Sequence, residues 1–198
     1  MKKQIVAFGA LLIAAGVWFQ QYPMPPQGID PEILVEEEMP DIASLSADDV
    51  EHQQHEAAAA ALAVINDREL QAPLRQRPRF VSPIEWQILK GIAAEHDNSD
   101  AELVRMVNFL RFSKQLEWWQ DNLGGADAEM HARIGQHLLD DIPERVLRQD
   151  MDPADAQQLQ FVLLENLIVD PDQRRQRLER EAQRIGVTFQ ISDAIHKQ

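Results

Sequence analysis

The 198-residue chain contains no cysteine. Disulfide scaffolds, thiol nucleophiles and cysteine-ligated zinc or iron-sulfur centres are therefore excluded, because each needs thiols or thiolates. Glycine is scarce at eight residues, and none stands in a Gly-rich loop of the kind that cradles phosphate. Positive charge is scarce too: 19 Lys plus Arg face 33 Asp plus Glu, for a formal charge of -14. A surface of that sign repels a phosphate backbone, so nucleic acid is not an expected partner. The serines lack a nucleophile-elbow context and the Ser-x-x-Lys pattern is missing. No catalytic residue, metal ligand or cofactor is assigned, and the chain reads as a non-enzyme.

Long apolar runs are equally rare, and the one present is at the amino end. Met1-Lys2-Lys3 precedes an uncharged, mostly apolar stretch from Ile5 to Phe19, and Gln20-Gln21-Tyr22 follows it. As a helix this stretch spans ~22 Å, short of the ~30 Å hydrocarbon core unless its flanks extend it to the interfaces. Val17-Trp18-Phe19 puts bulky side chains where a cleavable signal needs small ones, and an interfacial aromatic belt accommodates them better. Residues 1–22 are thus expected to be an uncleaved signal anchor that enters the inner membrane through residues 5–22. The two lysines keep the amino end in the cytoplasm, so the body faces the periplasm. The alternative is a periplasmic or secreted protein released by cleavage.

Residues 23–45 form a Pro-rich acidic tether punctuated by Pro23, Pro25, Pro26, Pro31 and Pro40. Ten carboxylates and no Lys or Arg lie between Asp30 and Asn66. Self-repulsion in a solvated linker is the simpler reading of that run, and an acidic bait for a basic partner is the sharper one.

Residues 46–198 read as one helical domain. Ser46-Ala47-Asp48-Asp49 opens an alanine-rich helix reaching about Asn66. Ser82-Pro83-Ile84-Glu85 is the strongest start: Ser82 can cap, Pro83 suits the first helical position, Glu85 can bond back, and Phe80 or Val81 can staple the entry. Ile84, Ile88, Leu89 and Ile92 are expected to form its inward stripe, with Trp86 beside it. Ser99-Asp100-Ala101-Glu102 starts a longer helix that runs past Trp119 to Gly124-Gly125. A fourth helix is expected from about Ala126 to Asp141, broken at Ile142-Pro143. Asp152-Pro153 and Asp170-Pro171 each place an acidic cap before a first-turn proline. Starts at Ser82 and Asp152 lie 70 residues apart, and those at Ser99 and Asp170 lie 71 apart, a weak sign of two hairpins around a connecting helix. The fold class is all-α, an irregular multi-helix bundle of helical hairpins after the amino-terminal anchor.

His52 and His55 sit three apart with Glu51 and Glu56 adjacent, a spacing zinc tolerates, but no further ligand is signalled and two solvated histidines explain it better. Asp97-Asn98-Ser99-Asp100 and Asp150-Met151-Asp152 gather oxygens that calcium uses, yet helix caps explain both. Five arginines from Arg174 to Arg184 make a charge-laced helix face, with Arg175–Glu179 and Arg177–Glu181 as spaced pairs and a carboxylate-binding patch as the sharper reading. The stronger candidate surface combines Arg75, Arg77 and Arg79 with Phe80, Trp86, Trp118 and Trp119, because interfaces favour aromatic and arginine anchors. Trp118 and Trp119 project about 100° apart, so both bury fully only beneath a broad cover.

The segment Arg77-Pro78-Arg79-Phe80-Val81-Ser82-Pro83-Ile84-Glu85-Trp86, with Val107-Asn108-Phe109-Leu110-Arg111-Phe112, resembles the accessory proteins that accompany secreted haemolytic phospholipase C in pseudomonad-type bacteria. The likeness extends to the plan of export signal, acidic tether and helical body, about half of the chain. It implies a noncatalytic chaperone that binds a secreted phospholipase C and assists its folding, export or release. The anchor-like signal departs from that plan. A structural adaptor of an inner-membrane envelope complex is the alternative.

Overall fold

The computed structural model describes residues 46–65 and 68–186, together with the backbone of residues 34–35. The expected anchor and most of the tether lie outside these. Among the described residues six helices follow in order: α1 (Ala47–Ala63), α2 (Pro83–Ala93), α3 (Ser99–Asp121), α4 (Ala128–Leu147), α5 (Pro153–Leu167) and α6 (Pro171–Arg184). Two dipeptides, β1 (Leu34–Val35) and β2 (Arg77–Pro78), pair antiparallel with Leu34 opposite Pro78 and Val35 opposite Arg77. The fold is an all-α multi-helix bundle, and among the described residues no helix is long and apolar enough to cross a membrane.

Helix starts follow the cap chemistry. At α1 and α2 the capping boxes close in both directions: the Ser82 amide donates to Glu85 Oε2 at 2.7 Å, while the Glu85 amide donates to Ser82 Oγ at 3.3 Å. Asp152 and Asp170 cap α5 and α6 ahead of Pro153 and Pro171. Two boundaries differ from expectation. Asn98, not Ser99, caps α3, because its side-chain oxygen accepts from the Ala101 amide at 3.3 Å. Pro143 does not end α4, which continues to Leu147.

The apolar side chains segregate into two cores joined by α3. Ala61 of α1, Leu70, Leu74, Phe80 and Val81 of the connector, Trp86 and Ala93 of α2, and Leu103, Val104 and Val107 of α3 form the first. Phe112 and Trp119 of α3 meet Ile134, Leu138, Leu139 and Ile142 of α4, Leu163 and Leu164 of α5 and Leu178 of α6 in the second. The four α4 side chains are wholly buried, and burial stabilises each by about 1.5–3 kcal/mol.

Between α1 and α2 the chain is not regular helix, so its buried backbone groups need partners from elsewhere. A polar stripe on α3 supplies them. The Asn108 amide group donates to the Leu70 carbonyl at 2.9 Å and accepts from the Leu70 amide at 3.0 Å. Arg111 donates to the Arg68 carbonyl, Lys114 to the Phe80 carbonyl at 3.0 Å, and Gln115 to the Ala61 carbonyl at 2.8 Å. These four side chains are buried, and their spacing along α3 makes one row that holds the connector in place.

Candidate docking surface

The connector divides the expected site. Arg75 and Arg79 are exposed and make no ion pair among the described residues, whereas Arg77 turns inward and donates to the Val81 carbonyl at 2.6 Å. Phe80 is fully buried and Trp86 only 5% exposed, so both belong to the first core and neither is a contact residue. The reason is local: the capping box fixes the chain's entry into α2, Phe80 and Val81 pack beneath it, and Trp86 lies over the same apolar floor. Arg111 faces the Phe80 ring at 5.9 Å and Lys90 faces the Trp86 ring at 6.0 Å, so even the polar contacts of these rings come from within the chain.

Trp119 is likewise a core residue at 0% exposure. It stacks on His131 at 4.8 Å between centroids, and the His131 ring nitrogen lies 2.9 Å from the Trp119 carbonyl. Trp118 is half-buried against the same cluster. The expected aromatic patch is thus split: Phe80 and Trp86 serve one core, Trp118 and Trp119 the other. Of the seven candidate residues, the structure leaves Arg75 and Arg79 on the surface, with Trp118 at its edge.

The expected α2 stripe is split: Leu89 packs against the first core, while Ile88 and Ile92 do not. Trp86, Leu89 and Ala93 face the core, and Ile88 is 54% and Ile92 38% exposed. At 100° per residue Ile88 lies about 160° around the helix from Trp86, and Ile84 and Ile92 fall on the same outward side. The helix is apolar on both faces, so periodicity alone does not choose between them; the larger indole and the Phe80–Val81 floor settle which face is inward. Other exposed apolar side chains, Leu123, Leu147, Phe161 and Val169, stand at helix ends or singly.

Charge clusters elsewhere have structural partners. Arg105 binds Glu102 at 2.6 Å and also pairs with Asp150; Arg145 reaches Asp150 at 3.3 Å and pairs with Glu69; Arg148 binds Glu69 at 2.6 Å and Glu144 at 2.7 Å. Burial pushes the Arg145 guanidinium down to about 10, with the Asp150 carboxylate opposing, so it stays charged at neutral pH. Burial also holds the Asp150 carboxyl above its ordinary value, against Arg105 and Arg145. Asp150 is therefore committed to arginines and Asp152 to a cap. His52 lies 3.3 Å from Glu56 on the exposed face of α1, and among the described residues no group of three or more His, Asp or Glu is placed to hold a metal ion. On α6, Arg177 pairs with the buried Glu181 at 2.6 Å, as the spacing indicated, while Arg175 pairs with Asp172 at 2.8 Å instead of Glu179.

Comparison of the chain with family models, with curated proteins and with solved structures finds no match.

Proposed function

We propose that the chain is a noncatalytic accessory protein, held at the inner membrane through residues 5–22 and facing the periplasm, that docks a secreted hydrolase of the phospholipase C type and assists its folding or export. The observation that carries this reading is the outward isoleucine row of α2. Ile88 and Ile92 stand on the free side of a helix whose other side is fixed by Trp86, Ala93 and the closed capping box. A partner meets these side chains with no rearrangement of the body, and burying what remains exposed of each contributes roughly half or less of the ~1.5–3 kcal/mol of full burial. Exposed Arg75 and Arg79 add guanidinium forks suited to carboxylates on a client. Such a surface is small, which suits a client that must leave again.

Placing a photo-crosslinking amino acid at Ile88 of the full-length chain, in cells secreting the hydrolase, tests the reading. An adduct with the hydrolase, lost in an Ile92→Asp variant of unchanged melting temperature, is the expected result. A stable adduct with an inner-membrane protein instead would replace the chaperone reading by the envelope-adaptor one.

A further inference from the structure

The connector that presents Arg75 and Arg79 is also a strand edge, and the residues it pairs with come from the acidic tether. Leu34–Val35 lies antiparallel to Arg77–Pro78. Pro78 has no amide hydrogen, so the donor on this edge is the Arg77 amide, and Val35 opposite Arg77 is the hydrogen-bonded pair. The edge is flanked by side-chain hydrogen bonds from α3. Asn108 clasps Leu70 on one side, and Lys114 holds the Phe80 carbonyl on the other. Its charge is equally distinctive: residues 68–79 carry Arg68, Arg75, Arg77 and Arg79 against one acid, Glu69, which is already bound to Arg145 and Arg148. The sequence flanking β1 has the opposite sign, with Asp30 and Glu32 before it and Glu36, Glu37 and Glu38 after it.

We propose that the Arg75–Arg79 connector is a strand-addition site for an acidic extended segment, and that its resident occupant is the chain's own tether, Asp30–Glu38. Main-chain pairing at β2 supplies the register, and the flanking arginines select acidic sequence. The acidic sequence that follows β1, Glu36 to Glu38, and the arginines of the connector are opposite in charge, which favours their cross-strand approach. This goes beyond the client-docking reading and does not depend on who the client is. It gives five of the ten carboxylates between Asp30 and Asn66 a place to act within the chain, where the sequence alone left a repelling linker or a bait for another molecule. If residues 1–22 are the anchor, pairing also shortens the leash. The 12 residues from Tyr22 to Leu34 span at most about 40 Å, against about 80 Å for the 24 residues from Tyr22 to Ser46. The paired tether thus keeps the body near the membrane, and release doubles its reach.

Because the chain has no cysteine, the pairing can be read directly in the purified full-length protein in detergent. Leu34 and Pro78 form the non-hydrogen-bonded pair, where Cα atoms lie ~4.5 Å apart and a disulfide closes without strain. The Leu34→Cys/Pro78→Cys double variant should form an intramolecular disulfide under mild oxidation. Adding Arg75→Glu and Arg79→Glu should lower its initial rate about tenfold at low salt and leave the melting temperature unchanged, since both arginines are exposed. High salt should reduce the parent's rate and narrow the gap. Absence of the disulfide, a rate indifferent to the arginine changes, or a product linked between two molecules would each overturn the proposal; the last would assign the edge to a second copy.

Discussion

Gly135 faces Trp119 across the α3–α4 contact with no room for a methyl group. A Cβ there would lie 2.8 Å from the indole Nε1 and 3.4 Å from Leu167 Cδ2. The indole cannot swing away, because His131 stacks on it and the second core surrounds it. Helix propensity alone favours Ala over Gly by about 1 kcal/mol, whereas overpacking a closed core costs about 1–3 kcal/mol. Gly135→Ala should therefore destabilise by about 1 kcal/mol in urea unfolding; a more stable variant would mean that the helices separate easily here. His137 of α4 links burial to pH. Burial holds its imidazole below the ordinary 6.5; Asp141, 3.7 Å away, and Asp140 pull upward, while Arg111 pushes downward. The unfolded chain takes up this proton near 6.5 and the native state only at lower pH, so stability from the neutral ring is present above 6.5 and lost as pH falls toward the native value. Asp141, raised by its own burial, has the opposite sign. Comparing His137→Gln with the parent isolates the ring: the variant should lose less stability between about pH 7.5 and about pH 5.5. Equal losses would place the pH dependence elsewhere.

At the scale of single elements, starts were legible and the inward face of α2 was not. Ser82, Asp152 and Asp170 act within a few residues of themselves, so their motifs locate α2, α5 and α6 without help from the rest of the chain. Pro143 shows the limit. Locally it removes a hydrogen bond and strains the turn at a cost of about 3 kcal/mol, which argues for a break. In the fold, Ile142 is buried in the second core and Arg145 pairs with Glu69 and Asp150, so both hold the helix through partners whose proximity no local pattern reveals. The same holds for the docking surface: arginine exposure at positions 75 and 79 followed from the polar connector, but the burial of Phe80, Trp86 and Trp119 depended on which elements cover them. The polar stripe of α3 is not legible from periodicity, because Asn108, Arg111, Lys114 and Gln115 have the composition of a solvated face until the connector is laid over them. Asn108→Ala tests its weight. It strands the Leu70 amide and carbonyl in the interior, at about 1–3 kcal/mol per group, so a loss of about 2–4 kcal/mol is expected in denaturant unfolding. A loss below about 0.5 kcal/mol would show that water replaces the clasp.

For the whole molecule, stability depends on how the two cores are coupled. They share α3, and beside it the cluster of Glu69, Glu102, Arg105, Glu144, Arg145, Arg148 and Asp150 ties the connector of the first core to the end of α4 in the second. Arg145 is the hub: it is 0% exposed and pairs with both Glu69 and Asp150. A buried pair in itself adds little net stability, because desolvation offsets the attraction, but removing one partner leaves the other charge buried and uncompensated at a cost of about 3–5 kcal/mol. Arg145→Met should incur that cost, and the loss should be uneven. Asp150, freed of one guanidinium, retains Arg105, whereas Glu69 retains only the more exposed Arg148, so the connector loosens before the α4–α5 turn does. Hydrogen exchange read segment by segment tests this directly. In the parent, amides of α2 and of α5 should exchange with similar protection, as one cooperative unit; in Arg145→Met, α1, the connector and α2 should exchange faster than α4, α5 and α6. Uniform loss of protection across both groups would mean that α3 alone couples the cores and that the ionic cluster only adds to a single global stability.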